Sequence, residues 1–163
     1  MPRKLPELTK TIRNEVQKQR PMIPWVEIDG VPEPRVAELM GSTSIFFAAH
    51  DLEGCPLTAL EAMARGNLIV GFPGTRNFRH PYSTAENGLW VKDRDISAAI
   101  NATVRAIDLV TNDPRRHIAF LEAGQRTVAN FSKLKVTQSL NAAIQCISTQ
   151  SYKNNKTKVS NLT

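Results

Sequence analysis

The chain has 163 residues, 41% of them hydrophobic and 22% charged, which is the composition of a globular domain large enough to bury a core of its own. No apolar run approaches the roughly 20 residues that span a bilayer, and the first residues, MPRKLPELTK, are too polar for a signal peptide, so a cytoplasmic location is expected. The net charge of +6 is made up of +4 over residues 1–20, +3 over residues 151–163 and −1 over the residues between them, which disfavours a nucleic-acid-binding surface on the folded body.

The chain begins with a predicted helix and a predicted strand. Residues 5–20 form a polar helix with a narrow apolar stripe, in which Leu8, Ile12 and Val16 follow one another at a spacing of four. The segment WVEIDGV (residues 25–31) alternates apolar and acidic side chains, and this alternation predicts a short strand.

The middle of the chain predicts a helix, a strand and a second helix. EPRVAELM (residues 33–40) is a short helix that ends at Gly41. SIFFAA (residues 44–49) is an uninterrupted β-prone run, which is typical of a strand buried on both faces. A turn then leads into an alanine-rich helix over about residues 56–65, and Gly66 follows as its C′ residue.

The second half repeats this alternation. NLIVGF (residues 67–72) predicts a second buried strand and GLWV (residues 88–91) a third. A long helix follows over residues 96–110. Another runs over about 114–131, with Asp113 as its N-cap and a proline in its first position.

The order of these elements predicts an α/β fold. Strands that alternate with helices favour a Rossmann-like, mainly parallel sheet with flanking helices, here assigned to residues 21–148. Residues 1–20 are assigned to a polar N-terminal helix. A last amphipathic helix, SKLKVTQSLNAAIQCI (residues 132–147), precedes a basic tail at 149–163 that is predicted to be disordered.

Three predicted loops follow the three buried strands. They are HDLEGCP, GFPGTRNF and VKDRD, at residues 50–56, 71–78 and 91–95. Because the carboxyl ends of parallel strands meet at one edge of a sheet, and α/β folds bind ligands there, these loops are expected to converge on a ligand site.

Two glutamates bracket the first of these loops and the helix after it. Glu53 precedes Gly54, which lets a ligand approach the backbone, and Glu61 lies on the following helix. The start of that helix offers unpaired N–H groups to an anion or a hydroxyl oxygen. A carboxylate can accept two hydrogen bonds from the neighbouring hydroxyls of a ribose. The alternative is that both carboxylates are solvated surface groups.

The cysteines and histidines indicate neither a disulfide nor a metal site. Cys55 and Cys146 lie far apart in the sequence, and His50, His80 and His117 have no carboxylate or cysteine at a ligand spacing. The three histidines are interpreted as surface or loop residues, and no metal or other cofactor is expected.

Residues 36–71, VAELMGSTSIFFAAHDLEGCPLTALEAMARGNLIVG, resemble the C-terminal nucleotide-binding half of retaining GT-B glycosyltransferases (glycosyl transferases group 1, family 4). That family places Glu-Gly after a buried strand, followed by a turn and a Leu-Glu-Ala-Met-Ala-x-Gly helix. ENGLWVKDRD (residues 86–95) and FSKLKVTQSLNAAI (residues 131–144) resemble later family segments, with Leu134 where a Trp is usual. The resemblance covers about residues 22–147.

The resemblance implies sugar transfer from a nucleotide sugar, with retention of configuration and without a metal. By position Glu53 would face the donor sugar and act as the catalytic residue, and Glu61 would bind the ribose hydroxyls. Leu57 and Thr58 would lie beside the diphosphate. The resemblance implies further donor-pocket residues: Gly54, Cys55, Pro56, Gly74 and Thr75.

The chain departs from the family at two places. The loop after the second strand usually reads Gly-Gly-x-x-Glu, whereas here only Gly74 is kept and Asn77 replaces the acid. Arg76 and Arg79 beside it are either phosphate ligands or solvated side chains. The family also has a second domain and earlier strands of the sheet that find no counterpart here. We therefore expect a GT-B half that is truncated at its N-terminus.

Truncation has consequences for partners and activity. The 25–31 strand would lose its neighbours, so we expect it to pair with SIFFAA, or a second copy or a companion glycosyltransferase domain to complete the sheet. The isolated chain is expected to be inactive. The alternative function is that of a non-catalytic remnant serving as a binding or assembly subunit, and a nucleic-acid-associated module is a third. The donor base, the sugar and the acceptor are not specified by these patterns.

Overall fold

The computed structural model describes residues 5–52, 54–74 and 82–145. Cys146, His80, Arg76, Asn77, Arg79 and the C-terminal tail, on which several predictions depend, lie outside these ranges. Two compact units are present, Met1–Val128 and Ala129–Thr163, and each is described by itself. In the described ranges no helix combines the length and the apolar character needed to cross a bilayer.

The first unit contains the sheet and the helices that flank it. Its elements are α1 (Pro6–Gln19), α2 (Glu33–Gly41), β1 (Ile45–Ala49), α3 (Leu57–Ala64), β2 (Leu68–Phe72), β3 (Gly88–Trp90), α4 (Ile96–Asn112) and α5 (Pro114–Asn130), the last of which ends beyond the unit boundary. These bounds agree with the predicted helices and with the three predicted buried strands to within a few residues.

The three strands form one parallel sheet in the order β1-β2-β3. Ile45 pairs with Leu68 and Ala49 with Phe72, and Gly71 of β2 in turn pairs with Trp90 of β3. The predicted α/β fold with a Rossmann-like parallel sheet is therefore confirmed. All three carboxyl ends point to the same edge of the sheet.

The two apolar strands β1 and β2 differ in burial. Every residue of the central strand β2 is buried, as predicted. The prediction that SIFFAA is buried on both faces is wrong, because in β1 only Ala48 is fully buried. Since β1 is an outer strand of the sheet, it has a β-partner on one side only and its side chains stay half exposed. Gly71 allows the two strands to approach closely, since an added Cβ there would collide with the carbonyl oxygen of Ala48.

The predicted strand at WVEIDGV is wrong. Residues 24–29 have no regular secondary structure, although the ring of Trp25 packs on Phe47 of β1 with centroids 5.8 Å apart. Trp25 contacts the core while Val26 is exposed, so the alternation of apolar side chains is real. An extended segment without a β-ladder satisfies the same alternation, and so the pattern did not require a strand. The predicted pairing of this segment with β1 as a strand is likewise not observed.

The predicted helix α1 is confirmed, and it packs into the core. Ile12 and Val16 are 0% and 1% exposed and belong to one cluster with Phe72, Ala99 and Ile107 of β2 and α4. A second cluster joins β2 to α4 and α5 and contains Leu68, Val70, Ala106, Leu109 and Phe120. The N-terminal helix α1 and the helices α4 and α5 therefore all pack against apolar side chains of β2.

Aspartates cap the starts of α4 and α5, and of these Asp113 was predicted. Asp95 caps α4 by accepting from the Ala98 N–H (2.9 Å), and Asp113 accepts from the Arg116 N–H at the start of α5 (3.1 Å). In the second unit, residues 133–145 form a helix, named α6 here, on which Leu134, Val136 and Leu140 are exposed. The predicted last helix is thus confirmed as far as residue 145.

Candidate functional site

Three loops meet at the carboxyl edge of the sheet, as predicted. We define the rim as the described residues 50–52, 54–56, 73–74 and 91–95, which follow β1, β2 and β3. The backbone N–H of Gly74 donates to Asp93 Oδ1 (2.8 Å) and so joins the second loop to the third. Arg94 Nη2 donates to Asp51 Oδ2 (2.8 Å) and joins the third loop to the first. The rim is therefore one connected surface.

Each rim loop contains one residue in the left-handed backbone region. These residues are Leu52 (φ 52°), Gly74 (φ 73°) and Arg94 (φ 65°). Glycine adopts this conformation freely, whereas for a leucine or an arginine it costs about 1 kcal/mol. Leu52 and Arg94 are therefore strained, and strained residues persist where the surroundings fix them and cluster at functional sites. Their concentration at the rim marks it as the candidate site.

His50 anchors the first loop to the helix that follows it. The side chain is 7% exposed, and its Nε2 shares a hydrogen bond with Thr58 Oγ1 in the first turn of α3 (3.2 Å). Of the interpretation as a surface or loop histidine, the loop part holds for His50, whereas its side chain is buried rather than on the surface. His117 is half-buried on α5, and His80 lies outside the described residues.

The predicted binding residues on the first loop and α3 are placed together. Gly54, Cys55, Leu57 and Thr58 are exposed around the start of α3, while Pro56 is buried as its N-cap residue. No side-chain cap occupies this helix start. The N–H groups of Leu57 and Ala59 already donate to the carbonyls of Cys55 and Pro56, so in the described ranges the N–H of Thr58 is the first-turn donor left for a ligand that accepts hydrogen bonds.

The polar groups of Glu61 and Gly74 differ in whether they already form hydrogen bonds within the protein. Glu61 is exposed on α3, and in the described ranges its carboxylate forms no hydrogen bond or ion pair. The N–H of Gly74 is already bonded to Asp93. Glu53 and Thr75, the two remaining predicted site residues, lie outside the described residues.

A buried side-chain amide, that of Asn87, forms the hydrogen-bond network next to the second rim loop. Asn87 is 2% exposed. Its Nδ2 donates to Tyr82 O and Thr127 Oγ1, and its Oδ1 accepts from Thr84 N and Trp90 Nε1, all at 2.9–3.0 Å. This network joins the turn before β3 to β3 itself and to α5.

Tyr82 extends this network to the rim. Its hydroxyl donates to the carbonyl of Pro73 (2.9 Å), next to Gly74, and its ring meets Trp90 edge to face. The position of the second loop therefore depends on β3 and α5 as well as on β2.

Sequence reasoning missed the polar side chains that connect the rim. It did not single out His50, Asp51, Asp93 and Arg94 as contacts of one another or of the loops. The one available signal was their position directly after predicted strands. In the described part of the chain, no three His, Cys, Asp or Glu side chains are grouped so that they could hold a metal ion.

The part of the chain that contains the rim matches a known protein family. The family of glycosyl transferases group 1 matches residues 27–127, which is more than half of the 163 residues and includes the whole rim. The chain belongs to this family. It therefore carries a glycosyltransferase domain, and its Rossmann-like sheet is consistent with that assignment.

A curated group 1 relative is similar over part of the chain. It is an alpha-1,6-glucosyltransferase of Actinobacillus pleuropneumoniae serotype 7 (strain AP76), 29% identical over 89 residues, which are 54% of this chain. The match covers 27% of the relative, so the aligned part of the chain corresponds to about a quarter of that protein.

Proposed function

We propose that this glycosyltransferase domain binds a nucleotide-sugar donor at the rim and serves sugar transfer with retention of configuration and without a bound metal. The observation that carries the proposal is the connected rim, where the open start of α3 and the free carboxylate of Glu61 lie on one short helix after β1. Family membership supports transfer of a sugar. The nucleotide, the stereochemistry and the metal independence rest on the resemblance to retaining GT-B enzymes.

Glu61 is the proposed ribose ligand. An exposed carboxylate with no partner in the described ranges keeps both oxygens available to two neighbouring hydroxyl groups. Hydrogen bonds to an ionised acceptor are stronger than those between neutral groups, so such a contact contributes measurably to affinity.

The start of α3 is the proposed place for the diphosphate. Leu57 and Thr58 lie in its first turn, and Gly54 and Cys55 are exposed directly before it. The N–H of Thr58, which has no hydrogen bond in the described ranges, and the positive end of the helix dipole favour an anion here. The hydrogen bond of His50 to Thr58 Oγ1 supports this placement, because it restricts the side chain of Thr58 in the first turn.

The remaining predicted residues have more limited roles in the proposal. Glu53 is proposed to face the donor sugar, and Thr75 to lie beside the donor, both from the resemblance alone. Gly74 is proposed to contribute close backbone approach rather than an N–H donor, since that N–H is bonded to Asp93.

A companion domain is part of the proposal. In the described ranges β1 is an outer strand of the sheet, and a strand with a β-partner on one side only can pair with another polypeptide at its other edge. We expect the isolated chain to bind a donor nucleotide without transferring sugar. The same edge supports the alternative function, a non-catalytic binding or assembly subunit, which would differ by failing to bind any nucleotide.

The test is a calorimetric titration of the purified chain with UDP, GDP and ADP, beside a Glu61→Ala variant. We expect one of the three to bind and the variant to lose at least about tenfold in affinity, as the loss of a charge-assisted contact implies. Glu122→Ala is the matched control, because Glu122 is an exposed glutamate on α5 and is not a residue of the rim or of α3. Equal affinity of Glu61→Ala and the wild type would contradict the proposed site.

A further inference from the structure

The two outer loops of the rim are joined by an ion pair that spans the middle one. Arg94 follows β3 and Asp51 follows β1, and their side chains meet at 2.8 Å. Because β2 lies between β1 and β3 in the sheet, the pair crosses the edge at the carboxyl end of β2. A ligand seated on this edge would meet the guanidinium of Arg94.

The backbone that carries Arg94 is fixed on both sides. Asp93 accepts the N–H of Gly74, and Asp95 accepts the N–H of Ala98 as the cap of α4. Between them Arg94 is held at φ 65°, a conformation that an arginine rarely adopts. The position of its Cα is thus set by its neighbours, while its long side chain remains able to change partner.

The bond between Arg94 and Asp51 is weak enough to be exchanged. The two side chains are 55% and 27% exposed, and ion pairs so open to water contribute little to stability. A guanidinium binds a phosphate with two parallel hydrogen bonds, and a diphosphate carries more charge than one carboxylate. A diphosphate at the rim would therefore compete well for Arg94.

We propose that Arg94 is a phosphate-binding residue of the rim, held by Asp51 in the free protein and transferred to the diphosphate of the bound nucleotide. This inference rests on the proposed function, since it names a further residue of the same site. It adds the third loop to a site that the resemblance placed on the first two.

Calorimetry with the nucleoside diphosphate that binds the wild type, and with the matching nucleoside, tests this role. Arg94→Met is expected to weaken the diphosphate about tenfold and to leave the nucleoside unchanged, because only the phosphates are contacted. Asp51→Asn removes the competing carboxylate and is expected to strengthen diphosphate binding by up to about fivefold. Arg105→Met, an exposed arginine on α4, is the matched control and should match the wild type.

Two results would overturn the assignment of Arg94. One is equal diphosphate affinity of Arg94→Met and Arg105→Met, and the other is weaker binding by Asp51→Asn. If Glu61→Ala loses binding in the same series, the proposed function stands and only the role of Arg94 fails. If no nucleotide binds, inorganic pyrophosphate is the probe. If pyrophosphate binds and Arg94→Met abolishes that binding, Arg94 is a phosphate-binding residue although the proposed nucleotide-binding function is wrong. If pyrophosphate does not bind either, both proposals are wrong.

Discussion

At the residue scale, single polar side chains determine the shape of the rim. Asn87 uses both of its amide atoms twice, and so it fixes the turn before β3 to Trp90 and to Thr127 of α5. Tyr82, which is bonded to Asn87, donates a hydrogen bond from its hydroxyl to the carbonyl of Pro73, beside Gly74. A buried network in which every member is satisfied rigidifies its surroundings, and one missing member leaves several groups without partners.

Asn87→Ala is therefore expected to destabilise the protein by about 3 kcal/mol, because it removes the four hydrogen bonds of a buried amide and leaves the partly buried Nε1–H of Trp90 without its partner. Chemical denaturation measures the free energy of unfolding. The control is Asn101→Ala, an exposed asparagine on α4 that should lose no stability. A decrease in the free energy of unfolding of less than about 0.5 kcal/mol for Asn87→Ala would show that the network does not stabilise the protein.

Residue contacts between distant loops were the part of the site that the sequence could not predict. Asp51 and Arg94 are 43 residues apart, and they meet only because the strand order places their loops around β2. The burial of His50 likewise depends on how α3 folds back over β1. By contrast, Gly54 and the helix start after it were found from local chemistry, because a glycine-containing turn before a helix is visible in the sequence. Cys55, Pro56, Leu57 and Thr58 were implied by the family resemblance.

At the element scale, α1 is part of the core rather than an appendage. Its mean composition is polar, yet Ile12 and Val16 are fully buried against β2 and α4. Arg20, which follows the helix, forms a bidentate ion pair with Asp108 of α4. The sequence predicted this helix and its apolar stripe, but not which surface the stripe would cover.

Ile12→Ala is expected to lower the free energy of unfolding of the whole first unit by about 3 kcal/mol, since it leaves a cavity in a packed cluster. Asn14→Ala, an exposed position on the same helix, is the matched control and should show no loss. Thermal or chemical unfolding of both variants makes the comparison. Equal stability of the two would mean that α1 folds independently of the sheet.

Elements with strong local signals were predicted well, and those without were not. The caps Asp95 and Asp113 and the apolar runs of β1 and β2 determine where those helices and strands lie. WVEIDGV carried a period of two, but forming a strand also requires a neighbouring strand to bond with. Residues 24–29 instead pack through Trp25 without a ladder, which no local pattern distinguishes from a strand.

At the scale of the whole molecule, the fold and the family agree on one functional edge. The parallel order β1-β2-β3 brings three loops together, and the group 1 glycosyltransferase match covers all of them. The central claim is that the donor nucleotide binds at this edge, against the start of α3. The rest of the proposed enzyme, including the acceptor site, would then be supplied by a companion domain.

Hydrogen–deuterium exchange tests this claim most directly, with the chain alone and with the nucleoside diphosphate that gives the largest calorimetric signal. We predict slower exchange in peptides covering residues 54–60 and 91–95, and unchanged exchange in α1 and α6. Protection confined to other segments, or no protection with any of UDP, GDP and ADP at millimolar concentration, would contradict a nucleotide site at the rim.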